Sequence, residues 1–378
     1  MKRLVSAVTK TGYQKLAKPL MFRQKPDIVH KNLIRVAKAV QKTPLLRTMP
    51  GIWSHQDEIM LSQKIAGVSY RNPVGLSAGF DKTLEMPKLM RSVGFGWMTG
   101  GSVTLGSYKG NEGEWYYRLP KSKSLVVNAG LPSEGTPVVA RRIALYNQAV
   151  FDKFPLNVSI AKTNSKKSVG DAQGVDDYCQ SLAVFAGLDQ VSTLEINISC
   201  PNTFGGEPFT TPTRLEKLLK AVDKLKLKKP VYIKMPTGLD DRDFDNLLKV
   251  IIKHNITGVT ISNLVKDRSS IELKDKLPDS VKGGLSGSPA KAISDHLISL
   301  AYERYGDKLV IIGVGGIMSA EDAYKKIRAG ASLVALITGL IFEGPQLIGE
   351  INRGLVKLLE RDGFANISEA VGIDTAAI

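Results

Sequence analysis

Eight short apolar runs follow Tyr70 along the chain, separated by stretches with helical spacing, and this alternation restricts the possible folds. The runs are rich in β-branched residues and lack a polar face, which is typical of strands buried on both sides. Amphipathic stretches lie between most of them, for example at 215–225, 244–254 and 320–329. Eight strand–helix units predict an α/β fold, a closed parallel (β/α)8 or TIM barrel. The predicted strands are Val74–Ala78, Gly96–Gly100, Leu156–Ile160, Leu194–Ile198, Val231–Met235, Gly258–Ser262, Leu309–Gly313 and Leu333–Ile337.

Two connections, 105–154 and 265–289, are long, and we expect each to carry small extra elements over the mouth of the barrel. Catalytic residues of such barrels lie at the C-terminal ends of the strands. Polar and small residues of this chain are found at those ends, so they form the candidate site. These residues are Ala78, Gly79, Lys82, Ser102, Ser159, Asn197, Cys200, Asn202, Lys234, Ser262, Asn263, Gly315, Gly316, Thr338 and Gly339.

The run L-E-I-N-I-S-C-P-N-T, residues 194–203, indicates the chemistry. Proline fixes φ and removes a donor, so the strand ends at Cys200 and Pro201. The thiol therefore lies between Asn197 and Asn202, whose carboxamides both donate and accept hydrogen bonds. This arrangement suits a planar ring with amide groups, from which the sulfur removes a proton. A model thiol titrates near ~8.5, close enough to neutrality for a general base. The alternative is a small thiol packed beside a turn.

Glycine-rich loops follow the last two predicted strands: G-V-G-G-I at 313–317, and Thr338 with Gly339. Loops in these positions commonly hold a phosphate, because glycines let backbone N–H groups approach an anion. A third run, G-G-L-S-G at 283–287, is a candidate for the third side of this phosphate site. Lys234, at the end of the fifth strand, is placed to set a positive charge against a group that becomes anionic, and the edge of a reduced flavin fits that description. The alternative is that these glycines only form turns.

Charge is concentrated at the N-terminus, where residues 1–47 contain twelve Lys or Arg and one acid, Asp27. Residues 28–40 combine apolar positions at helical spacing with a cationic face, which predicts a helix at a bilayer interface. The alternative is a helix packed on the main domain with solvated lysines. We therefore expect a basic helical extension at 1–50 and a barrel at 51–378. No apolar run reaches the ~18 residues of a spanning helix.

The composition excludes several other classes of protein. Two cysteines argue against a disulfide scaffold and suit a reducing cytoplasm. Cys179 is expected to be a packed residue without a chemical role. Four histidines without Cys/His pairs at ligand spacing predict no metal site. The basic segment lacks the aromatic–basic motifs of nucleic-acid-binding modules, so no nucleic acid is expected.

Taken together, these motifs make the chain resemble the dihydroorotate dehydrogenases, FMN-dependent enzymes of pyrimidine biosynthesis. The likeness runs from about Pro19 to Ile351. The segments that carry it are 72–82 (N-P-V-G-L-S-A-G-F-D-K), 197–203 (N-I-S-C-P-N-T), the Lys234 strand, 261–263 (I-S-N), 283–287 and 311–317 (I-I-G-V-G-G-I).

The resemblance implies a role for each matched residue. Cys200 stands where the family keeps its catalytic base, and Lys82 would act beside it. Dihydroorotate, the substrate, would be held by Lys82, Asn128, Asn197, Asn202 and Asn263. FMN would be held by Ala78, Gly79, Ser102, Ser159, Asn197, Lys234, Ser262, Gly287, Gly315, Gly316, Thr338 and Gly339.

The electron acceptor follows less directly from the resemblance. The N-terminal segment resembles the extension of the quinone-using branch, which is peripheral on the inner face of the cell membrane, and quinone is the expected acceptor. A Cys base is instead typical of the soluble branch, so fumarate, or NAD through a partner subunit, stays an alternative. An FMN reductase similar to dihydropyrimidine dehydrogenase would share the Asn and Cys residues. Two alternatives belong to other functional classes. One is a barrel that binds a sugar phosphate, and the other is a membrane-surface binding protein built on an enzyme scaffold.

Overall fold

The computed structural model describes residues 2–54, 59–165, 168, 170–200, 202–203, 209–269 and 271–375. The N-terminal part is helical, as the sequence predicts. It comprises α1 (Lys2–Gly12), a π-helical turn (Tyr13–Ala17), α2 (Lys18–Phe22), α3 (Pro26–Lys42) and α4 (Pro44–Thr48). The predicted helix at 28–40 is the central part of α3.

The α3 helix has two different apolar surfaces. Val29 and Ala37 are buried against the rest of the protein, whereas Val36 is 59% exposed. Exposed apolar side chains also occur on the preceding helices, with Leu4 and Leu20 each at least 60% exposed. Among the described residues, no helix combines the length and the apolar character that crossing a bilayer requires.

The centre of the protein is a closed barrel of parallel strands, which confirms the predicted fold. Strands are numbered in chain order as β1 (Gln63–Ile65), β2 (Val68–Tyr70), β3 (Val74–Leu76), β4 (Trp97–Val103), β5 (Tyr116–Leu119), β6 (Ser124–Val127), β7 (Leu156–Ile160), β8 (Thr193–Asn197), β9 (Val231–Lys234), β10 (Gly258–Ile261), β11 (Gly284–Leu285), β12 (Val310–Val314) and β13 (Leu333–Leu336). The barrel order is β3-β4-β7-β8-β9-β10-β12-β13, closing on β3. Each barrel strand overlaps one of the eight predicted strands.

The strands are near-continuously apolar because they are covered on both faces. Inside the barrel, Trp97, Tyr232, Ile312 and Leu333 pack together, and the Tyr70 ring meets Trp97 edge-on at 6.2 Å. Tyr70 belongs to the antiparallel β1–β2 hairpin. The N-terminal end of the barrel is therefore filled, which leaves the C-terminal end for binding.

Helices surround the barrel, as the amphipathic stretches predict. They are α5 (Pro87–Val93), α6 (Thr136–Ala144), α7 (Asp171–Ala186), α8 (Pro212–Lys224), α9 (Asp241–Ile251), α10 (Lys291–Tyr305), α11 (Ala320–Arg328), α12 (Thr338–Glu343) and α13 (Leu347–Asp362). Two of them begin with a side-chain cap: Asp240 accepts from the Asp243 N–H at 2.7 Å, and Ser319 accepts from the Asp322 N–H at 3.2 Å. Such caps satisfy N–H groups that the first turn leaves without partners.

A small antiparallel sheet, in the order β11-β6-β5, lies beside the C-terminal end of the barrel. Strands β5 and β6 come from the long connection 105–154, and β11 comes from 265–289, where extra elements were expected. Arg118 of β5 ties this sheet to the N-terminal helices, since its guanidinium donates to the Gln24 carbonyl at 2.7 Å. The mouth of the barrel is thus bordered by this sheet and by α3.

Candidate active site

The C-terminal end of the barrel opens into a cavity of about 1540 Å³, including the space at its mouth. The residues predicted from the sequence gather around it, with two exceptions. Those that line the cavity are Ala78, Gly79, Lys82, Ser102, Asn197, Cys200, Asn202, Lys234, Ser262, Asn263, Gly287, Gly315, Gly316, Thr338 and Gly339. Ser159 and Asn128 lie just outside the lining.

The asparagines on the floor of the cavity are held by hydrogen bonds. Asn263 Nδ2 donates to Asn197 Oδ1 at 3.2 Å and to the Ser199 carbonyl at 2.7 Å. Asn197 Nδ2 donates to Ser102 Oγ at 2.8 Å, and Asn202 Nδ2 donates to the Val127 carbonyl at 2.9 Å. Because each amide orientation is determined by its partner, the floor offers donors and acceptors at defined positions.

Ser159 and Asn128 lie behind residues that line the cavity and contact the site through other side chains. Ser159 is fully buried, and its hydroxyl lies 2.9 Å from that of Ser102. It can therefore orient Ser102 but does not form the wall. Asn128 is half-buried, and its Oδ1 accepts from Asn111 Nδ2 at 3.2 Å. Asn111 also donates to the Asn202 carbonyl at 3.1 Å, so Asn128 is linked to the site through Asn111.

Cys200 lies three residues after the end of β8, half-buried in the cavity wall. Its backbone carbonyl accepts from Thr203 Oγ1 at 3.3 Å. Pro201, predicted to end the strand, lies outside the described residues, as does 204–208. Lys234 ends β9, pairs in register with Asn197 of β8 and is 6% exposed. A thiol and an ammonium group are thereby brought to the same cavity from neighbouring strands.

Lys82 has a defined orientation that the sequence did not reveal. Its ammonium group donates to the Gly79 carbonyl at 2.7 Å and to the Tyr116 hydroxyl at 2.5 Å. Tyr116 comes from β5 in the small antiparallel sheet β11-β6-β5, which we call the mouth sheet. The centre of the His30 ring of α3 lies 5.5 Å from the centre of the Tyr116 ring. Burial, and to a smaller degree the Lys82 charge, lowers the pKa of His30 to about 3. His30 is therefore neutral near pH 7, and Lys82 is the cation of this group.

The glycine-rich loops form another wall of the cavity, with Gly287, Gly315, Gly316, Thr338 and Gly339 in its lining. Gly287 has φ +79° and Gly316 has φ +71°, conformations that side chains rarely adopt. A Cβ atom would lie 2.2 Å from the Lys123 carbonyl at the first position and 2.4 Å from Lys291 Cβ at the second. Ser286 Oγ and Thr338 Oγ1, 2.9 Å apart, join two of the loops. This wall is consequently built from backbone and hydroxyl groups, which suits an anionic ligand.

Comparisons with known proteins identify the family of this chain. The family model described as dihydroorotate dehydrogenase matches residues 60–359. The chain belongs to the dihydroorotate dehydrogenase family. A relative named dihydroorotate dehydrogenase (quinone) from Natronomonas pharaonis is 34% identical over 363 residues, which cover 96% of this chain and 99% of the relative. One with the same name from Haloarcula marismortui is 33% identical and covers 95% of this chain and 98% of its own.

A solved structure agrees with the fold of this family member. The crystal structure of the Eimeria tenella enzyme in complex with ferulenol has a TM-score of 0.81 and 26% sequence identity. The match covers 93% of this chain and 96% of that one. The fold of this chain is therefore shared with that enzyme over most of its length.

In this family member, apolar side chains of α3 line part of the cavity, and we call this part the apolar arm. Pro26, Val29 and Leu33 of α3 line it, together with Met318 and Ile341 from the barrel. Leu33 is 40% exposed, so this arm lies close to the protein surface. The same cavity thus joins a polar floor to an apolar arm under α3.

Sequence reasoning missed Tyr116, His30, Phe80 and Arg118, which also line the cavity. Tyr116 and Arg118 lie in a long connection, on a strand of only four residues, Tyr116–Leu119, whose sequence Y-Y-R-L does not alternate between apolar and polar residues. His30 was part of a helix interpreted by its charge and apolar face alone. Phe80 could have been found, because it stands between Gly79 and Lys82 in a motif already singled out.

Proposed function

We propose that this protein oxidises dihydroorotate to orotate in pyrimidine biosynthesis, with FMN as cofactor and a quinone as electron acceptor. One observation carries the proposal. Cys200, three asparagines and Lys82 line the same cavity as a glycine-rich anion wall. Membership of the family and the names of the quinone-dependent relatives support the same reaction and acceptor.

The described residues fit FMN. The backbone wall at Gly287, Gly315, Gly316, Thr338 and Gly339 would hold its phosphate, because the backbone and hydroxyl groups that line the cavity there suit an anion. The positive φ angles of Gly287 and Gly316 give this wall a shape that residues with a side chain rarely adopt. Ala78, Gly79, Ser102, Asn197, Lys234 and Ser262 would hold its ring, with Ser159 acting through Ser102. When bound, FMN would accept hydride from the substrate and pass electrons to the acceptor.

The residues of the chain itself would orient the substrate and move its proton. Asn197, Asn202 and Asn263 would bind the ring amides. Lys82 uses two of its three N–H donors on Gly79 and Tyr116, which leaves one for the substrate carboxylate. Cys200 would remove the proton from C5 as the hydride leaves C6. General base catalysis of this kind accelerates proton transfer by about 10²–10⁴-fold.

The apolar arm supports quinone as the acceptor and a peripheral position on the inner face of the cytoplasmic membrane. Its lining residues from α3 belong to the most basic part of the chain, and α3 is also the helix whose Val36 is 59% exposed. Apolar side chains beside a cationic surface favour binding at an anionic bilayer interface. A quinone could then pass from the lipid into the arm.

The absorption spectrum of the purified protein tests the reaction. We expect a flavin spectrum that bleaches when dihydroorotate is added without oxygen, and no bleaching with dihydrouracil. A colourless protein would favour a barrel that binds a sugar phosphate. Bleaching with dihydrouracil alone would favour a dihydropyrimidine dehydrogenase-like reductase. After bleaching, quinone, fumarate and NAD are added separately, and quinone should restore the spectrum fastest.

Blocking the apolar arm tests the acceptor separately. Leu33→Trp should reduce quinone turnover by at least about tenfold, because an indole at this position would fill the arm, while bleaching by dihydroorotate continues at the normal rate. Asn32→Trp is the matched control, since Asn32 is exposed on the same helix and does not line the cavity. Normal quinone turnover in Leu33→Trp would show that electrons leave by another route.

A further inference from the structure

The short helix α12 connects the cavity to the N-terminal segment. Thr338 and Gly339 in its first turn line the cavity, as does Ile341 in its second. The carbonyl groups in the last turn of a helix have no partners within the helix. In α12 these are the carbonyls near Glu343, on the side facing the N-terminal helices.

Three side chains of the N-terminal segment cap these carbonyls. The Tyr13 hydroxyl donates to the Ile341 carbonyl at 2.5 Å. Gln14 Nε2 donates to the carbonyls of Phe342 at 2.8 Å and Glu343 at 3.1 Å. Lys18 Nζ donates to the Phe342 carbonyl at 2.9 Å. Since the cap comes from residues more than 320 positions away, it joins the two ends of the chain.

The backbone around the cap is shaped to place these donors. Tyr13 and Gln14 open the π-helical turn Tyr13–Ala17, and Lys18 follows it directly. A π-helical turn inserts extra backbone into a helix and changes the direction of its side chains. Close packing completes the contact, since a Cβ atom on Gly344 would lie 2.7 Å from Tyr13 Cδ1.

Protonation and aromatic packing reinforce the cap. Burial raises the pKa of Tyr13 to about 12, so the hydroxyl keeps its proton and stays a donor at physiological pH. The Phe22 ring meets the Phe342 ring edge-on at 5.5 Å, and Lys18 Nζ lies 5.6 Å from the centre of each. The C-terminal end of α12 is thereby fixed on several sides.

We infer that Tyr13, Gln14 and Lys18 are positioning residues for the glycine-rich wall of the cavity, called here the cofactor wall because it would hold the FMN phosphate. By fixing the C-terminal end of α12, they hold Thr338 and Gly339 at its other end in the geometry that binds the cofactor phosphate. This inference rests on the proposed use of FMN. It gives the N-terminal segment a second task, besides contact with lipid and quinone.

Release of FMN from the full-length holoenzyme tests the inference. Flavin fluorescence after dilution gives the dissociation constant for Tyr13→Phe, Gln14→Ala, Lys18→Met and the triple variant. Each single variant should weaken FMN binding about threefold and the triple variant at least about tenfold, the scale expected for partial loss of single hydrogen bonds. Lys15→Ala, an exposed neighbour in the same turn, should stay within about twofold of the wild type.

Two further measurements separate positioning from general destabilisation. Lys18→Arg retains a cationic donor and should restore much of the affinity that Lys18→Met loses. In the triple variant at saturating FMN, the KM for dihydroorotate should be unchanged, because the substrate residues lie on other strands. Tyr13→Phe removes a single oxygen atom, so its effect does not depend on a large disturbance of folding.

The outcomes distinguish this inference from the proposed function. If the wild-type protein binds FMN and the triple variant binds it within twofold as tightly, the cap does not position the cofactor wall, and the proposed function is unaffected. If the wild-type protein binds no FMN, the proposed function itself is wrong. Equal loss of affinity in Lys18→Arg and Lys18→Met would also overturn the role of the Lys18 donor.

Discussion

Replacing Cys200 by alanine removes the thiol that we propose as the base. Cys200 is half-buried in the cavity wall, not in the core. The hydrogen bonds among Asn197, Ser199 and Asn263 join atoms other than the thiol, so the variant keeps them. We therefore expect FMN and orotate to bind as in the wild type, and the loss to fall on proton removal.

The expected loss is that of a general base. Such a base contributes about 10²–10⁴-fold in rate. At 1.36 kcal/mol for each factor of ten, the activation barrier rises by about 2.7–5.4 kcal/mol. Anaerobic stopped-flow measurement of flavin bleaching by dihydroorotate isolates this step from reoxidation. The wild-type rate should also rise with pH and level off as the thiol ionises, whereas the profile of Cys200→Ala should be flat over that range.

Cys179 provides a matched control, because it is the other cysteine of the chain and lies on α7, away from the residues that line the cavity. Cys179→Ala should bleach at the wild-type rate with the wild-type pH profile. Bleaching of Cys200→Ala within about threefold of the wild type would refute the assignment of Cys200 as base, since a base of this kind contributes at least about 10²-fold.

Two further predictions concern other parts of the structure. Tyr116→Phe removes the hydroxyl that accepts a hydrogen bond from Lys82. A spectral titration should show that the dissociation constant of orotate rises about 3–10-fold, the scale of part of a charge-assisted hydrogen bond. Tyr117→Phe, in the same strand, should leave this constant unchanged, and equal effects of the two substitutions would argue against a specific role of Tyr116. Burial acts to lower the pKa of His254, but its hydrogen bonds to Asp223 and Glu216 prevail and raise it above 6.5. Because the folded-state pKa is raised, this stabilisation is fully present below pH 6.5 and is lost as the pH rises through the folded-state value. Urea unfolding should therefore show a larger loss of stability for His254→Asn at pH 6 than at pH 9, and an equal loss at both would contradict this.

Much of the barrel could be predicted because its signals are local. Strand positions such as 231–235 follow from runs of β-branched residues between amphipathic stretches, and the observed strand, Val231–Lys234, differs by one residue. The polar residues after the strands then meet at one end, because all strands of a parallel barrel point the same way. The cavity and most of its lining follow from that rule.

The sequence by itself therefore determined the fold, the end of the barrel that carries the site and the residue types gathered there. Only the tertiary structure decided which side chains contact each other. Lys82 meets Tyr116, Ser159 lies behind Ser102, and Tyr13 caps a helix 328 residues further along the chain. Such contacts depend on how barrel, mouth sheet and N-terminal helices pack, and periodicity along the chain contains no information about distances between segments far apart in sequence.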